Sequence, residues 1–312
     1  MKAIILTDFG SVDNLVLSDI EVPVAANGDV LIKTSAISVN PIDVKTRAGK
    51  GVSALLKNTQ PMILGWDISG VVVESKTAVF KPGDEVFGMA NFPGLGKTYA
   101  EYVSVPANHL TLKPASISHA EAAAASLAAL TAWQALVSHA TIRPGQRVLI
   151  HAAAGGVGHF AVQIARQMGA YVIGTASAQN RDFVLSIGAN EHIDYKAQPL
   201  AEATQDIDFV LDAIGGENID HSLAVMKPGA TIISIPSGKN ELVKEKAEAN
   251  GMIGYPIRVQ SNGGDMKQLA DLLADGRMKA HVSQTFGFDE MKKAHQQIET
   301  GKTQGKLVVL PG

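Results

Sequence analysis

Cysteine is missing from this 312-residue chain, and its absence excludes several kinds of chemistry. Without a thiol there is no disulfide framework, no cysteine nucleophile, no iron–sulfur cluster and no cysteine-ligated zinc. The nine histidines also never recur at the i, i+3 or i+4 spacing that places two metal ligands on one helix face. The sequence therefore predicts a protein that holds no metal ion.

A strong charge of one sign and a long apolar run are missing as well. The 27 Lys and Arg and the 30 Asp and Glu residues are spread along the chain, for a formal net charge of -3. This balance lacks the basic face that nucleic acid or an anionic membrane requires. No apolar run approaches the ~20 residues of a membrane-spanning helix. The segment Met1–Asp8 turns acidic too early for a signal peptide, so we expect a cytoplasmic protein.

The chain falls into three stretches of different texture. Residues 1–114 contain short β segments between turns, which predicts a small barrel or sandwich. Residues 115–258 begin with a helical stretch at Ser118–Ser138 and then alternate apolar strands with helices. This alternation indicates a parallel sheet covered on both faces. Residues 259–312 have a β–α–β character that suits a return to the first domain.

The most informative motif is the glycine-rich turn Ala152–Gly158. An apolar strand at Arg147–Ala152 leads into it, a helix starts within it, and a second strand follows at Tyr171–Thr175. A glycine-rich match alone is weak evidence, but in this β–α–β context it predicts a dinucleotide site. The glycines permit a tight turn and a close backbone approach to a pyrophosphate, whose charge meets the N–H groups of the helix N-terminus.

The residues after the second strand predict which dinucleotide binds. An NAD site places an acidic residue there to bond the ribose 2′-hydroxyl. Between Gly169 and Arg181 there is no acidic residue, and the strand leads instead to Ser177 and Arg181. A hydroxyl and a guanidinium suit a 2′-phosphate. We therefore predict NADPH as the cofactor, with Tyr195, after the third strand, as a further contact to its adenosine end.

Together these motifs resemble the zinc-free, quinone-oxidoreductase branch of the medium-chain dehydrogenase/reductase superfamily, over essentially the whole chain. The segments that carry the resemblance are Val39-Asn40-Pro41-Ile42-Asp43, Leu64-Gly65-Trp66-Asp67-Ile68-Ser69-Gly70, Lys81-Pro82-Gly83-Asp84, Leu130-Thr131-Ala132-Trp133, His151–Gly158, Ile193-Asp194-Tyr195 and Gly305-Lys306-Leu307-Val308. The resemblance implies an α/β fold. In it, a GroES-like β-rich domain is completed by the C-terminal tail, and a doubly wound Rossmann domain lies between its parts. Nicotinamide and substrate are then expected in a cleft.

The resemblance also assigns roles to residues of the first domain. Asn40 is the implied hydrogen-bond donor to the oxygen that gains charge when hydride is transferred, and an Asn-Pro turn is the alternative. Asp43 and Trp66 are candidates for the substrate pocket. The alternatives are an N-cap role for Asp43 and core packing for Trp66.

The remaining implied contacts concern the cofactor. Thr131 corresponds to a contact with the nicotinamide carboxamide, and a hydroxyl bonded to its own helical turn is the alternative. Ile214 and Ser234 follow strands whose carboxyl ends face the cofactor. The full set of predicted cofactor residues is Thr131, Ala154, Gly155, Gly156, Val157, Gly158, Ser177, Arg181, Tyr195, Ile214 and Ser234.

Two departures bear on the reaction. Trp66-Asp67 stands where zinc-dependent relatives carry part of a Gly-His-Glu triplet, and residues 40–60 lack the tyrosines that quinone reductases of this branch often place there. We therefore expect metal-free hydride transfer from NADPH to either a quinone or an α,β-unsaturated carbonyl. An enoyl-thioester reductase and an NADPH-binding redox sensor or structural protein with little turnover stay open as alternatives. The strand candidate Gly251–Val259 would leave an open sheet edge, which predicts a homodimer.

Overall fold

The computed structural model describes all residues from Met1 to Gly312 and contains fifteen strands and ten α-helices. The strands are β1 Lys2–Leu6, β2 Leu15–Asp19, β3 Asp29–Val39, β4 Asp67–Ser75, β5 Glu85–Met89, β6 Tyr102–Pro106, β7 Leu110–Leu112, β8 Arg147–Ile150, β9 Tyr171–Ala176, β10 Glu191–Asp194, β11 Ile207–Asp212, β12 Met226–Ser234, β13 Ile253–Pro256, β14 Val282–Gly287 and β15 Lys306–Leu310.

The helices are α1 Pro41–Arg47, α2 His119–Ala124, α3 Leu127–Trp133, α4 Gly158–Gln167, α5 Arg181–Ser186, α6 Leu200–Ala203, α7 Asn218–Leu223, α8 Val243–Ala249, α9 Gly263–Ala274 and α10 Met291–Glu299. A π-helical segment, Gln134–His139, continues α3. None of the ten helices has the length and apolarity needed to span a bilayer.

The chain divides into two compact units. The first unit contains Met1–Leu130 and Val259–Gly312, and the second contains Thr131–Arg258. The sequence placed the first boundary after residue 114, whereas residues 115–130 lie with the first unit. The reason is that the alanines of α2 pack against small and branched residues of the first unit, forming a cluster of Ala36, Ala123, Ala124 and Val308.

The first unit is built around the long strand β3. Its sheet has the order β14-β15-β3-β4-β5-β7, with β6 also paired to β3. The tail strand β15 pairs antiparallel with β3, so that Leu307 lies opposite Val39. Apolar side chains such as Ile32, Ile37 and Ile68 are fully buried and form its core. The C-terminal tail therefore completes this β-rich unit, as the resemblance implies.

The second unit is a six-stranded parallel sheet. Its strand order is β10-β9-β8-β11-β12-β13, which is the order of the Rossmann fold. Val148, Leu149 and Ile150 of β8 are fully buried because helices cover both faces of the sheet. All six strands run parallel, so their carboxyl ends lie along one edge, which we call the carboxyl edge.

Two predicted elements differ in detail. The stretch Ser118–Ser138, which predicts either a helical hairpin or one long helix, forms two helices, because the chain turns between α2 and α3 at Ala125 and Ser126. Ser118 caps α2 in a capping box with Glu121, as its residue type favours. The last strand of the parallel sheet is also shorter than predicted, covering Ile253–Pro256.

Candidate active site

The glycine-rich turn lies at the carboxyl edge between β8 and α4. Gly158 is the first residue of α4, and a Cβ atom there would lie 2.1 Å from the carbonyl oxygen of Ala152 and 2.8 Å from the Cα atom of Ala153. Such a contact is impossible for any residue with a side chain. Glycine is therefore required at position 158 because the helix and the strand end approach each other so closely.

The strained residue of the turn is an alanine. Ala152 has a φ of +50°, whereas Gly155, Gly156 and Gly158 do not take positive φ. A left-handed conformation costs a residue with a Cβ atom on the order of 1 kcal/mol. Ala152 is the first residue of the variant motif Ala152-x-x-Gly155-x-x-Gly158. This strain was not predictable from the residue type, because alanine is not typical of left-handed turns.

The predicted adenosine contacts emerge side by side. Strands β9 and β10 are neighbours, with Ala176 paired to Asp194, so Ser177 and Tyr195 leave the sheet at adjacent positions. Tyr195 is 58% exposed. Lys196 Nζ lies 5.7 Å from the centre of its ring, which adds a cation that the sequence analysis missed.

Arg181 begins α5 just after this point. Its side chain is 63% exposed, and its only ionic contact is with Asp182, at 3.4 Å between Nη1 and Oδ1. An exposed pair of this kind is worth little, so the guanidinium is available to an anion. The end of β9 thus presents the hydroxyl of Ser177 where an NAD site would place an acidic residue, with the cation of Arg181 four residues further on.

Ser234 and Ile214 have different surroundings. Ser234 is fully buried, and its hydroxyl donates to Asp212 Oδ2 at 2.6 Å. The carboxylate of Asp212 also accepts the backbone N–H groups of Ile214 and Gly215 at 3.0 and 3.1 Å. The hydroxyl of Ser234 therefore helps Asp212 to shape the loop after β11, and a contact between Ser234 and the cofactor stays a prediction. Ile214, in that loop, is 41% exposed at the carboxyl edge.

A buried histidine that the sequence analysis missed supports the start of the turn. His151 contacts Thr175 Oγ1 through Nδ1 at 3.0 Å and Ser222 Oγ through Nε2 at 2.9 Å. Ser222 donates its own hydrogen to the carbonyl of Asn218, so it accepts from His151. Burial lowers the pKa of His151 to about 4. The imidazole is therefore neutral at physiological pH and ties β8 to β9 and α7.

Thr131 lies in α3 and is nearly buried, with 6% of its surface exposed. The π-helical segment Gln134–His139 begins at the end of this helix. Such segments often occur at functional sites, because they widen the helix and redirect its side chains. Nothing in the sequence, which reads there as ordinary helix, predicted it.

The first unit holds a buried polar cluster around Asn40. The side-chain nitrogen of Asn40 donates to Asp67 Oδ2 at 2.8 Å and to the carbonyl of Ser38 at 3.3 Å. Its oxygen accepts from Lys306 Nζ at 2.5 Å, and only 1% of the residue is exposed. Both amide hydrogens of Asn40 are therefore bonded inside the unit, which favours a structural role over the predicted donation to a substrate oxygen.

Asp67 and Lys306 form a buried ion pair within this cluster, with 3.6 Å between Oδ2 and Nζ. Burial raises the pKa of the Asp67 carboxyl and lowers the pKa of the Lys306 ammonium, and each charge opposes the shift of the other. The second carboxylate oxygen of Asp67 accepts the backbone N–H of Leu127 at 2.7 Å. The pair therefore also contacts the beginning of α3.

Asp43 and Trp66 are both buried in the first unit. Asp43 is fully buried and accepts the backbone N–H of Asn40 at 2.6 Å, as the third residue of α1, with Asn40 as the N-cap. Burial raises the pKa of Asp43 to about 8, against the lowering effect of this hydrogen bond. Trp66 is 1% exposed, packs edge-to-face on Phe92 and donates to the carbonyl of Gly94. These contacts favour the alternatives of helix capping for Asp43 and core packing for Trp66 over a place in the substrate pocket.

The chain matches two known domain families and several known oxidoreductases. Residues 26–115 match the alcohol dehydrogenase GroES-like domain, and residues 187–309 match a domain described as zinc-binding dehydrogenase. The chain is 31% identical to the bovine mitochondrial NAD(P)H oxidoreductase RTN4IP1, over 99% of this chain and 89% of the relative. It is 33% identical to the chloroplastic NADPH-dependent alkenal/one oxidoreductase of Arabidopsis thaliana, over 100% of this chain and 80% of the relative.

Among solved structures, the quinone oxidoreductase from Coxiella burnetii superposes with a TM-score of 0.95 at 37% identity, covering 100% of this chain and 99% of the other. The description of the second matched domain raises the question of zinc. This chain has no cysteine, and it contains no group of three His, Asp or Glu side chains placed to hold a metal ion. The residues present therefore do not fit a zinc site.

Proposed function

The chain belongs to the quinone-oxidoreductase-like members of the medium-chain dehydrogenase/reductase superfamily, and we propose that it reduces a quinone or an α,β-unsaturated carbonyl with NADPH. The observation that carries this proposal is the carboxyl edge of the second unit. There, the turn Ala152–Gly158 meets the N-terminus of α4 in a sheet of Rossmann order. These residues fit a dinucleotide, because a side chain at Gly158 is excluded and N–H groups face the turn.

The preference for NADPH rests on the end of β9. Ser177, Arg181 and Tyr195 supply a hydroxyl, a guanidinium and an aromatic ring at neighbouring positions. We propose that they receive the adenosine 2′-phosphate, with Arg181 as the charged contact. Lys196 adds positive charge beside Tyr195.

NADPH, when bound, supplies the hydride, and the protein contributes position and electrostatics. Reduction of an enone adds hydride to the β-carbon, so that negative charge develops on oxygen and a proton completes the reaction. Asn40 has no amide hydrogen free for that oxygen, because its nitrogen donates to Asp67 and Ser38. We therefore propose water as the proton donor and give Asn40 a structural role.

The test is steady-state oxidation of NADPH and of NADH against quinones, enals, enones and enoyl thioesters. We expect turnover with NADPH and at least one quinone or enone. Tight NADPH binding without turnover on any acceptor would contradict the proposal and favour a redox sensor. Turnover confined to enoyl thioesters would favour the thioester reductase. The relatives named for alkenal/one and quinone reduction favour neither alternative.

We further propose a homodimer formed through β13. This strand ends the parallel sheet, and Ile253 on it is 54% exposed. An open edge with an exposed apolar side chain is commonly covered by a second copy of the chain. Light scattering at micromolar concentration tests this, and a monomeric mass would contradict it. A cytoplasmic location is proposed as well and is tested by cell fractionation.

A further inference from the structure

Three strand ends that are distant in sequence meet at one point of the first unit. Strand β3 lies between β15 and β4 and runs antiparallel to both, so its end adjoins the beginnings of its neighbours. Asn40 follows the end of β3, Asp67 begins β4 and Lys306 begins β15. The sheet topology therefore brings an amide, a carboxylate and an ammonium together in the interior.

The cluster is expensive for the fold alone. Asp67 is fully buried and Lys306 is 3% exposed, so both charges have lost their water. A buried ion pair seldom stabilises a protein more than apolar side chains of the same size would. We therefore expect the Asp67–Lys306 pair to have a role that apolar side chains could not fulfil.

The second carboxylate oxygen of Asp67, Oδ1, makes a contact that only a polar side chain can make. It accepts the N–H of Leu127, the first residue of α3, at 2.7 Å. The first N–H groups of a helix have no partner within the helix. A carboxylate at this end accepts their hydrogen bonds, and its negative charge is attracted by the positive end of the helix dipole. Asn40 and Lys306 hold the opposite oxygen, so the carboxylate cannot turn away.

We propose that Asp67, with Asn40 and Lys306 as its supports, is a positioning residue for cofactor binding, because it fixes the beginning of α3. Thr131, the proposed contact to the nicotinamide carboxamide, lies four residues after Leu127 and therefore on the same helix face. Fraying of the first turn would reduce the fraction of molecules in which Thr131 is in place. Apparent NADPH affinity falls with that fraction. The inference rests on the proposed function.

The experiment compares two double variants that both lack the ion pair. In Asp67→Asn/Lys306→Met, the introduced amide oxygen still accepts from Leu127, and the Asn40 amide is free to rotate and accept from the introduced NH2 group. In Asp67→Leu/Lys306→Met the acceptor is gone and the volume is similar. We expect the leucine variant to bind NADPH about fivefold to tenfold more weakly than the asparagine variant, the equivalent of one lost cap.

Three further readouts separate positioning from stability. The KM for NADPH should rise in the leucine variant while kcat stays within about twofold of the asparagine variant. Amide hydrogen exchange over residues 127–131 should be faster in the leucine variant, with or without activity. The control Arg47→Met/Glu299→Gln removes another ion pair of the first unit, at 2.5 Å, and should leave NADPH affinity unchanged.

Equal NADPH affinity and equal exchange in the two double variants would overturn the proposal. If the leucine variant does not fold, Asp67→Ala/Lys306→Met replaces it, with the same expected order. If the wild-type protein fails to oxidise NADPH with any acceptor, the proposed function is wrong. The exchange comparison then still decides whether Asp67 fixes α3.

Discussion

The two units keep their positive charges in different places. The Lys and Arg side chains that are almost fully buried are found in the first unit: Arg47, Lys113 and Lys306 have side chains that are 6%, 6% and 3% exposed. In the second unit, Arg181 is 63% exposed at the carboxyl edge. Strands of the first unit come from distant parts of the chain and enclose their ends, whereas parallel strands present all their carboxyl ends at one open edge. The first unit therefore holds cations in its interior, whereas the second unit presents the cation of Arg181 at its open edge.

The largest effect should follow from removing one buried charge. Lys306→Met leaves Asp67 buried without its cation, so we expect a loss of about 3–5 kcal/mol in the free energy of unfolding. Lys246→Met in the second unit breaks an exposed pair with Asp220 and should cost no more than about 1 kcal/mol. Urea denaturation measures both. Similar losses in the two variants would remove the contrast between the units.

The next effect concerns the packing of the glycine-rich turn. Gly158→Ala forces a Cβ atom to within 2.1 Å of a backbone oxygen, whereas Gly155→Ala brings one to 3.1 Å of the same atom. We expect the first variant to lose about 1–3 kcal/mol or more, and the second clearly less. Chemical denaturation followed by NADPH titration checks this order. If both variants are equally stable, the turn is more adaptable than the structure indicates.

Asp43 should make the stability of the first unit depend on pH. Its folded pKa of about 8 exceeds the ordinary value of 3.8, so the folded state retains a proton that the unfolded state has lost between these values. Stability from this group is complete below pH 3.8 and is lost as the pH rises toward 8. The slope is about 1.4 kcal/mol per pH unit.

Asp43→Asn keeps the acceptor for Asn40 and removes this titration. Its stability relative to the wild type should therefore rise with pH over that window, as measured by denaturation at several pH values. The groups that face Asp43 are Asp67, Lys306 and Tyr99, and they are unchanged in the variant. His151 acts in the opposite sense, since its lowered pKa costs stability as the pH falls from 6.5 to about 4. A constant difference between variant and wild type would show that Asp43 is ionised throughout.

The smallest predicted effect is a gain. Ala152→Gly relieves a φ of +50° and should raise stability by up to about 1 kcal/mol, after the entropy that glycine loses on folding. Ala154→Gly, in the same turn without positive φ, should instead lower it by about 0.5–1 kcal/mol. Thermal unfolding of the two variants gives the comparison. Equal losses would mean that Ala152 is not strained.

The two units also differ in how much of their structure could be predicted from the sequence. In the second unit the signals are local: the strand candidate Arg147–Ala152 contains β8, and the strand candidate Tyr171–Thr175 lies within β9. Continuous apolar strands and glycine punctuation directly indicate such elements. The resemblance supplied the rest of the architecture, including the return of the tail to the first unit, and this was confirmed.

The contacts of Asn40 and Trp66 were not predictable in the same way. Their partners lie far away in sequence, such as Lys306 for Asn40 and Phe92 for Trp66, whereas Asp43 bonds the nearby backbone of Asn40. A residue type indicates which bonds a side chain can form, but only the topology decides which partner it meets. Ser234 illustrates the same limit, because its hydroxyl turned inward to Asp212.

The most direct test of the account is the ratio of kcat/KM for NADPH to that for NADH, measured with one enone in the wild type and in Arg181→Ala. We expect a preference for NADPH of about tenfold or more in the wild type, since one charge-assisted pair to a phosphate is worth at least 1.5 kcal/mol. In the variant the KM for NADPH should rise, the KM for NADH should stay the same, and the ratio should fall toward one. A wild-type preference for NADH, or an unchanged ratio in the variant, would contradict it.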